Sequence, residues 1–214
     1  MPVWFPGIVD ASDYVDKPPP TSWKRPLLVL FGVVGVMLVL LRTQGRFWIC
    51  TCGRIDLWAG DIWSANNSQH IADPYTLTHV LHGILFAWLI AIVLSRMATP
   101  WKVVVAASLE SAWEVVENSR FVIDRYREAT IALGYQGDTI INSVSDVGAC
   151  VLGFLVVRWI GLRWSIAFFL SVELVLVLWI RDSLILNIIM LIYPIEAIRE
   201  WQMAAEGAIG ALIR

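Results

Sequence analysis

A chain of 214 residues with 58% in the hydrophobic set, 16% charged and a net charge of −2 lacks the make-up of a soluble domain, where about a quarter of residues are charged. Its mean hydropathy of +0.68 points the same way. No lysine or arginine run exceeds two residues, which excludes the basic footprint of a nucleic-acid binder.

The first 25 residues carry Asp10, Asp13, Asp16 and the run Pro18-Pro19-Pro20, the opposite of a basic signal-peptide n-region, and read as a polar extramembrane tail. After Lys24 and Arg25, the apolar run Pro26 to Leu41 reads as an uncleaved first span. A loop rich in Trp, Asn, Ser and Gly then covers Thr43 to Pro74, followed by a second span from Leu77 to Leu94. Arg96, Pro100 and Lys102 mark a tight turn. The third span, Val103 to Val116, has an apolar pattern interrupted at Glu110, Ser111 and Glu114. A polar loop is expected from Glu117 to Asn142, a fourth span from about Ser143 to Trp159, and a turn through Gly161 and Arg163. Trp164 to Ile180 is a fifth apolar run holding Glu173. Beyond Arg181 and Asp182, Leu184 to Tyr193 is short for a span, so it either extends a long tilted helix or completes a hairpin. The tail from Ile195 to Arg214 reads as an amphipathic interfacial helix. The expected fold is therefore all-α, a polytopic helical membrane bundle of about five transmembrane helices, or six. Residues 1–25 form its tail, 26–196 its membrane domain and 197–214 its amphipathic helix.

Charges on the loops orient the chain weakly. With the N-terminus inside, Lys17, Lys24, Arg25, Arg96, Lys102, Arg158 and Arg163 fall inside. Arg42, Arg46, Arg54, Arg120, Arg125 and Arg127 fall outside, where Trp48, Trp58 and Trp63 would form an interfacial aromatic loop. Three cysteines are too few for a disulfide framework, and the spacing of Cys50 and Cys52 is too close to bridge comfortably. Those two are candidates for loop packing or for a metal, whereas Cys150, in an apolar run, reads as a small buried residue.

Whatever the orientation, alternating spans bring the start of span two, the end of span three and the start of span four to one membrane face. Those places hold the unusual residues. Glu110, Glu114 and Glu117 are spaced four and three apart, which puts them on one helical face, as the same spacing does for His79 with His82 and Asn142 with Asp146. Charged groups inside a span cost roughly 2.5 to 3.5 kcal/mol, so they face a protein interior or an aqueous cavity with partners. Three carboxylates on one face repel unless protons, a cation or a bound metal intervene. His79, His82 and Asp146 are the candidate ligands of a divalent metal of unspecified identity, since histidine with carboxylate suits zinc, manganese and iron. Glu110, Glu114, Glu117 and Asp138 are the candidate acid/base groups. Arg120, Arg127, Asn118 and Asn142 are candidates for substrate binding. For each there is a plainer reading: a hydrogen-bonded buried Glu110, Asn118, Asn142 and Ser143 as helix caps, and the arginines as a solvated belt. Arg181, Asp182 and Asn187 reach the same face if span five returns to it.

The motifs Cys50-Thr51-Cys52-Gly53, Ser68-Gln69-His70, Asp73-Pro74-Tyr75, His79 and His82-Gly83, Glu110-x-x-Trp113-Glu114-x-x-Glu117-Asn118, Tyr126-Arg127, Gly137-Asp138-Thr139, Asn142-Ser143 and Asp146 resemble those of an uncharacterised alphaproteobacterial family. These are inner-membrane proteins carrying domain of unknown function 2585. The resemblance covers nearly the whole chain and implies a multi-pass protein of the bacterial inner membrane, with no established activity. The chain is more loosely similar to VanZ-like membrane proteins, an analogy that carries no residues over.

Three readings of function follow. The first is a membrane-embedded enzyme that hydrolyses or transfers a phosphate or acyl group of a lipid or lipid-linked substrate at the outer face. In it Glu117 or Glu110 is the general base, and Arg127 holds the substrate anion. The second is a non-catalytic assembly factor or subunit whose polar cluster glues helices and whose partner is another membrane protein. The third is a proton or ion pathway.

Overall fold

The computed structural model describes residues 22–130 and 134–212, so the first 21 residues of the expected tail lie outside the described residues. Among them the secondary structure is seven helices: α1 (Lys24–Thr43), α2 (Thr76–Val93), α3 (Thr99–Glu117), α4 (Arg120–Ala129), α5 (Ile140–Ile180), α6 (Leu184–Ile192) and α7 (Glu196–Leu212). Three of these, α1, α2 and α5, are long and apolar enough to cross a membrane, with mean hydropathies of 2.3, 1.9 and 2.0. Large apolar side chains such as Leu28, Phe31, Leu178 and Ile192 are exposed, as suits helices solvated by lipid rather than water.

A straight helix of 41 residues would be about 60 Å long, twice the hydrocarbon thickness. Gly161, at φ 75° and ψ 171°, interrupts α5 and divides it into two arms. The first arm runs parallel to α2 and the second returns beside it, with Ser165 accepting from Trp88 Nε1 at 3.0 Å and Phe169 packed on Leu81 and Ile84. The α2–α5 contact is close enough to require glycine. A Cβ on Gly83 would lie 1.9 Å from the Cys150 carbonyl oxygen, and one on Gly153 would lie 1.9 Å from that of Val80. Small residues of this kind let membrane helices approach backbone to backbone.

At the far end of the bundle Ala87, Ile90, Val103, Ala106 and Phe154 form an apolar core, and a second core joins α1 to α3 and α5 through Met37, Leu41, Ala107, Ile140 and Val147. At the near end, hydrogen bonds to backbone carbonyls stitch the segments together. Gln44 Nε2 donates to the Val115 carbonyl at 2.9 Å, Thr139 N to Ser68 at 3.1 Å and Ile140 N to Phe47 at 2.8 Å. The end of α1, the start of α2, the end of α3 and the start of α5 thus share one face.

Two elements differ from expectation. The segment read as a polar loop after Glu117 contains α4, capped by Ser119 Oγ accepting from Val122 N and burying Val122, Ile123, Tyr126 and Ala129 on one face. Its strong amphipathic period was masked by its charge. The stretch after Ile180 neither continues α5 nor completes a sixth span. Arg181 adopts φ 53°, and the nine residues of α6 reach only about 14 Å. The carboxylate of Glu173 accepts from Leu184 N at 3.0 Å and Ile185 N at 3.3 Å, holding the start of α6 against α5.

Candidate functional site

His79 and His82 lie in the first two turns of α2, and both turn Nδ1 toward Glu110 of α3. His79 Nδ1 is 2.5 Å from Glu110 Oε1, and His82 Nδ1 is 3.1 Å from each Glu110 oxygen. Glu114, one turn on, places Oε1 3.5 Å from His79 Nδ1. On the opposite edge of the ring, His79 Nε2 is 3.8 Å from Asp146 Oδ2 of α5. The three helices that alternation predicted to converge do so here, around His79. Glu110 and Glu114 are fully buried and Asp146 nearly so.

Around this centre lies a cavity of about 480 Å³. One part of its lining is polar: Asp73, His79, His82, Glu117, Tyr126, Tyr135, Asp138, Asn142, Asp146 and Asn187. The other is apolar, with Leu85, Phe86, Leu109, Trp113 and Val116 from α2 and α3 and Leu184, Ile188 and Leu191 from α6. No lysine or arginine among the described residues lines it. Several polar atoms at the site are buried without a hydrogen-bond partner: both oxygens of Glu114, Asp146 Oδ1, Glu117 Oε2, Asn142 Nδ2 and Ser143 Oγ. Such groups are rare in folded chains because their desolvation is not offset.

The short helices complete the wall. Tyr126 of α4 donates its hydroxyl toward Glu117 Oε1 at 2.9 Å and toward Asn187 Oδ1 of α6 at 3.1 Å, and Arg125 Nε donates to the Leu191 carbonyl at 2.9 Å. Asp138 is held by Asn118 Nδ2 at 2.8 Å and by the Tyr135 hydroxyl at 2.9 Å. Asp73 accepts from Tyr75 N at 2.7 Å and Ser68 N at 2.9 Å, with Ser68 at φ 60°. Burial pushes the carboxyls of Asp73 and Asp138 up, against the opposing pull of these hydrogen bonds. Burial and then the Asp138 charge raise the Tyr135 hydroxyl, and burial and then Glu117 raise that of Tyr126.

The expected site residues separate accordingly. His79, His82, Glu110, Glu114 and Asp146 meet at the centre, while Glu117, Asp138 and Asn142 line the cavity. Asn118 stands behind Asp138 as its hydrogen-bond partner. Arg120 and Arg127 are elsewhere. Arg120 is exposed and pairs with Asp124 at 3.8 Å, and Arg127 is committed to the Tyr135 carbonyl at 2.5 Å and to Asp124 at 3.7 Å. The α4 helix turns its Tyr126 face inward and carries both arginines away. Asp73, Tyr126, Tyr135 and Asn187 line the cavity although the sequence had not marked them as site residues. Tyr126 and Asp73 stood in recognised motifs, and Asn187 was flagged as reaching this face. Tyr135 stood at the head of the polar stretch entering span four without being marked as a site residue. Arg181 donates to the Trp201 carbonyl at 2.8 Å rather than to Asp182, which instead receives Tyr75 Oη and Gln202 Nε2.

On the same face Cys50 and Cys52 form a disulfide, a correction to the reading that their spacing disfavours a bridge. The bridge sits in a four-residue turn closed by Gly53 N donating to the Cys50 carbonyl at 3.0 Å, with Gly53 at φ 77°. His70 lies close by, accepting at Nδ1 from Asp56 N at 3.1 Å. That bond leaves the ring proton on Nε2, which disfavours metal ligation there. Cys150 is buried and free, as expected.

A family model described as "Protein of unknown function (DUF2585)" matches residues 41–204. Among curated relatives, a "UPF0314 protein" of Paracoccus denitrificans is 44% identical over 184 residues, covering 86% of this chain and 95% of the relative. One of Brucella anthropi is 40% identical, covering 87% and 94%, and one of Sphingopyxis alaskensis is 41% identical, covering 85% and 95%. No solved structure matches. These matches lend no support to the looser similarity to VanZ-like proteins.

Proposed function

This chain belongs to the DUF2585 family of proteins of unknown function, and on that footing we propose that it is a membrane-embedded enzyme acting on a lipid or lipid-linked substrate. In this reading it lies in the bacterial inner membrane with five crossings, α1, α2, α3 and the two arms of α5. The face bearing the cavity is the outer one. The Cys50–Cys52 disulfide on that face supports the orientation, because disulfides persist in the oxidising periplasm and not in the cytosol.

The observation that carries the proposal is the two-part cavity. Leu109 and Val116 of α3 and Ile188 of α6 belong to its lining and are exposed. An acyl chain entering from the bilayer between those helices reaches His82 and Asp146 without leaving apolar surroundings. With carboxylates in the lining and no lysine or arginine, a phosphate would have only the histidines as cationic partners among the side chains. An ester or amide carbonyl suits this charge better.

Hydrolysis or transfer then proceeds by addition of water or an acceptor hydroxyl to the carbonyl carbon. The His79/His82 centre holds the nucleophile, and Glu117, with Oε2 unpartnered, takes its proton. Asn142 Nδ2, an unspent donor in the lining, stabilises the developing oxyanion. The carbonyl–heteroatom bond then breaks and the leaving group receives the proton. Glu110 is not the base in this scheme, because both its oxygens face histidine nitrogens. The apolar Ala87–Phe154 core beyond the site supports this reading over a proton pathway.

Lipid profiling of a deletion strain tests the proposal. One lipid class should accumulate and return to normal with the wild-type chain but not with His82→Ala. Identical lipid profiles in the deletion and parent strains would overturn it.

A further inference from the structure

We propose that His79, His82 and Glu110 are the protein ligands of a divalent transition-metal ion, with Glu114 the carboxylate beside its open position and Asp146 the partner behind His79. The metal would serve the enzymatic reading above, on which its chemistry, though not its geometry, rests.

Three observations meet here. First, the two imidazoles approach one carboxylate with the same nitrogen. His79 Nδ1 and His82 Nδ1 lie 2.5 and 3.1 Å from Glu110 Oε1, their rings edge-on with centroids 5.2 Å apart. One donor atom from each of the three residues falls within 4.8 Å of the others. Ligands held at about 2.0–2.1 Å around a tetrahedral ion stand about 3.3 Å apart, so small rotamer adjustments close this set on a metal. Two histidines and a glutamate with a fourth position left open is a ligand count used by catalytic zinc. The spacing that makes it possible is local: residues 79 and 82 project from one face of α2.

Second, Glu114 is fully buried and both its oxygens lack a hydrogen-bond partner, although it stands 3.5 Å from His79 Nδ1. Asp146 is 3% exposed and its Oδ1 is also unpartnered. Unpartnered buried carboxylates directed at a histidine centre are what a cation relieves.

Third, the centre carries more carboxylates than cations, an excess that protons or a bound cation relieve. Glu110, Glu114 and Asp146 surround His79, no lysine or arginine lines the cavity, and the two histidines supply at most two positive charges, only when both are protonated. With Nδ1 of His79 on the metal, its Nε2 carries the proton and faces Asp146 Oδ2 at 3.8 Å. A shift of a few tenths of an ångström would bring the two within hydrogen-bond reach and complete the carboxylate–histidine–metal relay by which outer carboxylates fix a ligand's tautomer. The assignment makes Glu110 a ligand and places Asp146 outside the ligand set. When bound, such an ion polarises a carbonyl and acidifies water.

The test uses the full-length chain purified in detergent with an affinity tag free of histidine. Elemental analysis after dialysis against zinc should give about one equivalent per chain, and cobalt(II) should give visible bands of a nitrogen/oxygen site. Glu110→Gln and His82→Ala, each checked for folding by circular dichroism and gel filtration, should weaken zinc at least about tenfold against a chromophoric competitor. Asp146→Asn should weaken it less than either. Folded wild-type protein that binds neither zinc, cobalt, manganese nor iron(II) at micromolar concentration overturns the proposal. So does a Glu110→Gln variant that binds as wild type while Asp146→Asn does not, which would move the ion to His79, Glu114 and Asp146. A chain that binds metal in a strain whose lipids do not change defeats the enzymatic reading and leaves the metal site standing. Altered lipids with no metal do the reverse.

Discussion

His79 of α2 presents its Nδ1 to Glu110 of α3 at 2.5 Å, a contact that joins the two helices at the polar end of the cavity. Its position depends on how closely α2 approaches α5, because Asp146, on the far side of the same ring, belongs to α5.

That approach is set by glycine. A Cβ on Gly83 or Gly153 would fall 1.9 Å from backbone oxygen, so Gly83→Val and Gly153→Val must push the helices apart. Both variants should lose folded protein, with a cost of about 1–3 kcal/mol or more from overpacking. Gly148→Ala, on the same arm with nothing within 4 Å, should be neutral or stabilise by up to about 1 kcal/mol through helix propensity. Thermal unfolding in detergent reads both, and equal melting of Gly83→Val and wild type would rule out the close packing.

Glu114→Gln separates charge from shape. The side chain is fully buried with neither oxygen hydrogen-bonded, so glutamine removes a charge without breaking a bond. Folded yield should hold or rise, whereas rescue of a deletion strain should fail. Complete rescue by a stably inserted Glu114→Gln chain would leave the carboxylate without a chemical role.

Asp182 lies between α5 and α6, accepts from Tyr75 and Gln202, and is pushed by burial to about 6. Its folded value is raised above the unfolded one, so the folded chain holds the proton more tightly. The stability this gives is fully present below about pH 4 and is lost as pH rises through about 6. Two pH units correspond to at most about 3 kcal/mol. Asp182→Asn, neutral throughout, should flatten the melting temperature between pH 4 and 7. An unchanged slope in the variant would assign the pH dependence to other groups.

The disulfide gives a topological test. Alkylation of the denatured, unreduced chain should label Cys150 alone, with Cys50 and Cys52 labelled only after reduction. In intact cells treated with an impermeant reductant, an impermeant maleimide should then reach Cys52, which is exposed. Labelling only after the inner membrane is opened would place this face in the cytosol.

The amino-acid sequence by itself determined the all-helical character and the apolar runs long enough to cross a membrane, since a run's length and composition are local properties that no tertiary contact alters. It also determined that His79, His82, Glu110, Glu114 and Asp146 would meet, because helices of alternating direction must bring those ends to one face and a spacing of three or four aligns side chains. Only the tertiary structure decided which carboxylate each histidine faces. That depends on the rotation of each helix about its axis, which for α2 and α5 the close approach of Gly83 to Cys150 and of Gly153 to Val80 constrains. The structure also revealed the inward turn of α4, which brings Tyr126 to the cavity and takes Arg120 and Arg127 away. The fold of α6 over the site and the closing of Cys50 on Cys52 were likewise beyond the sequence. The last two adjoin backbone turns at Arg181 and Gly53, where a positive φ redirects the chain and leaves no periodic trace in the residues around it.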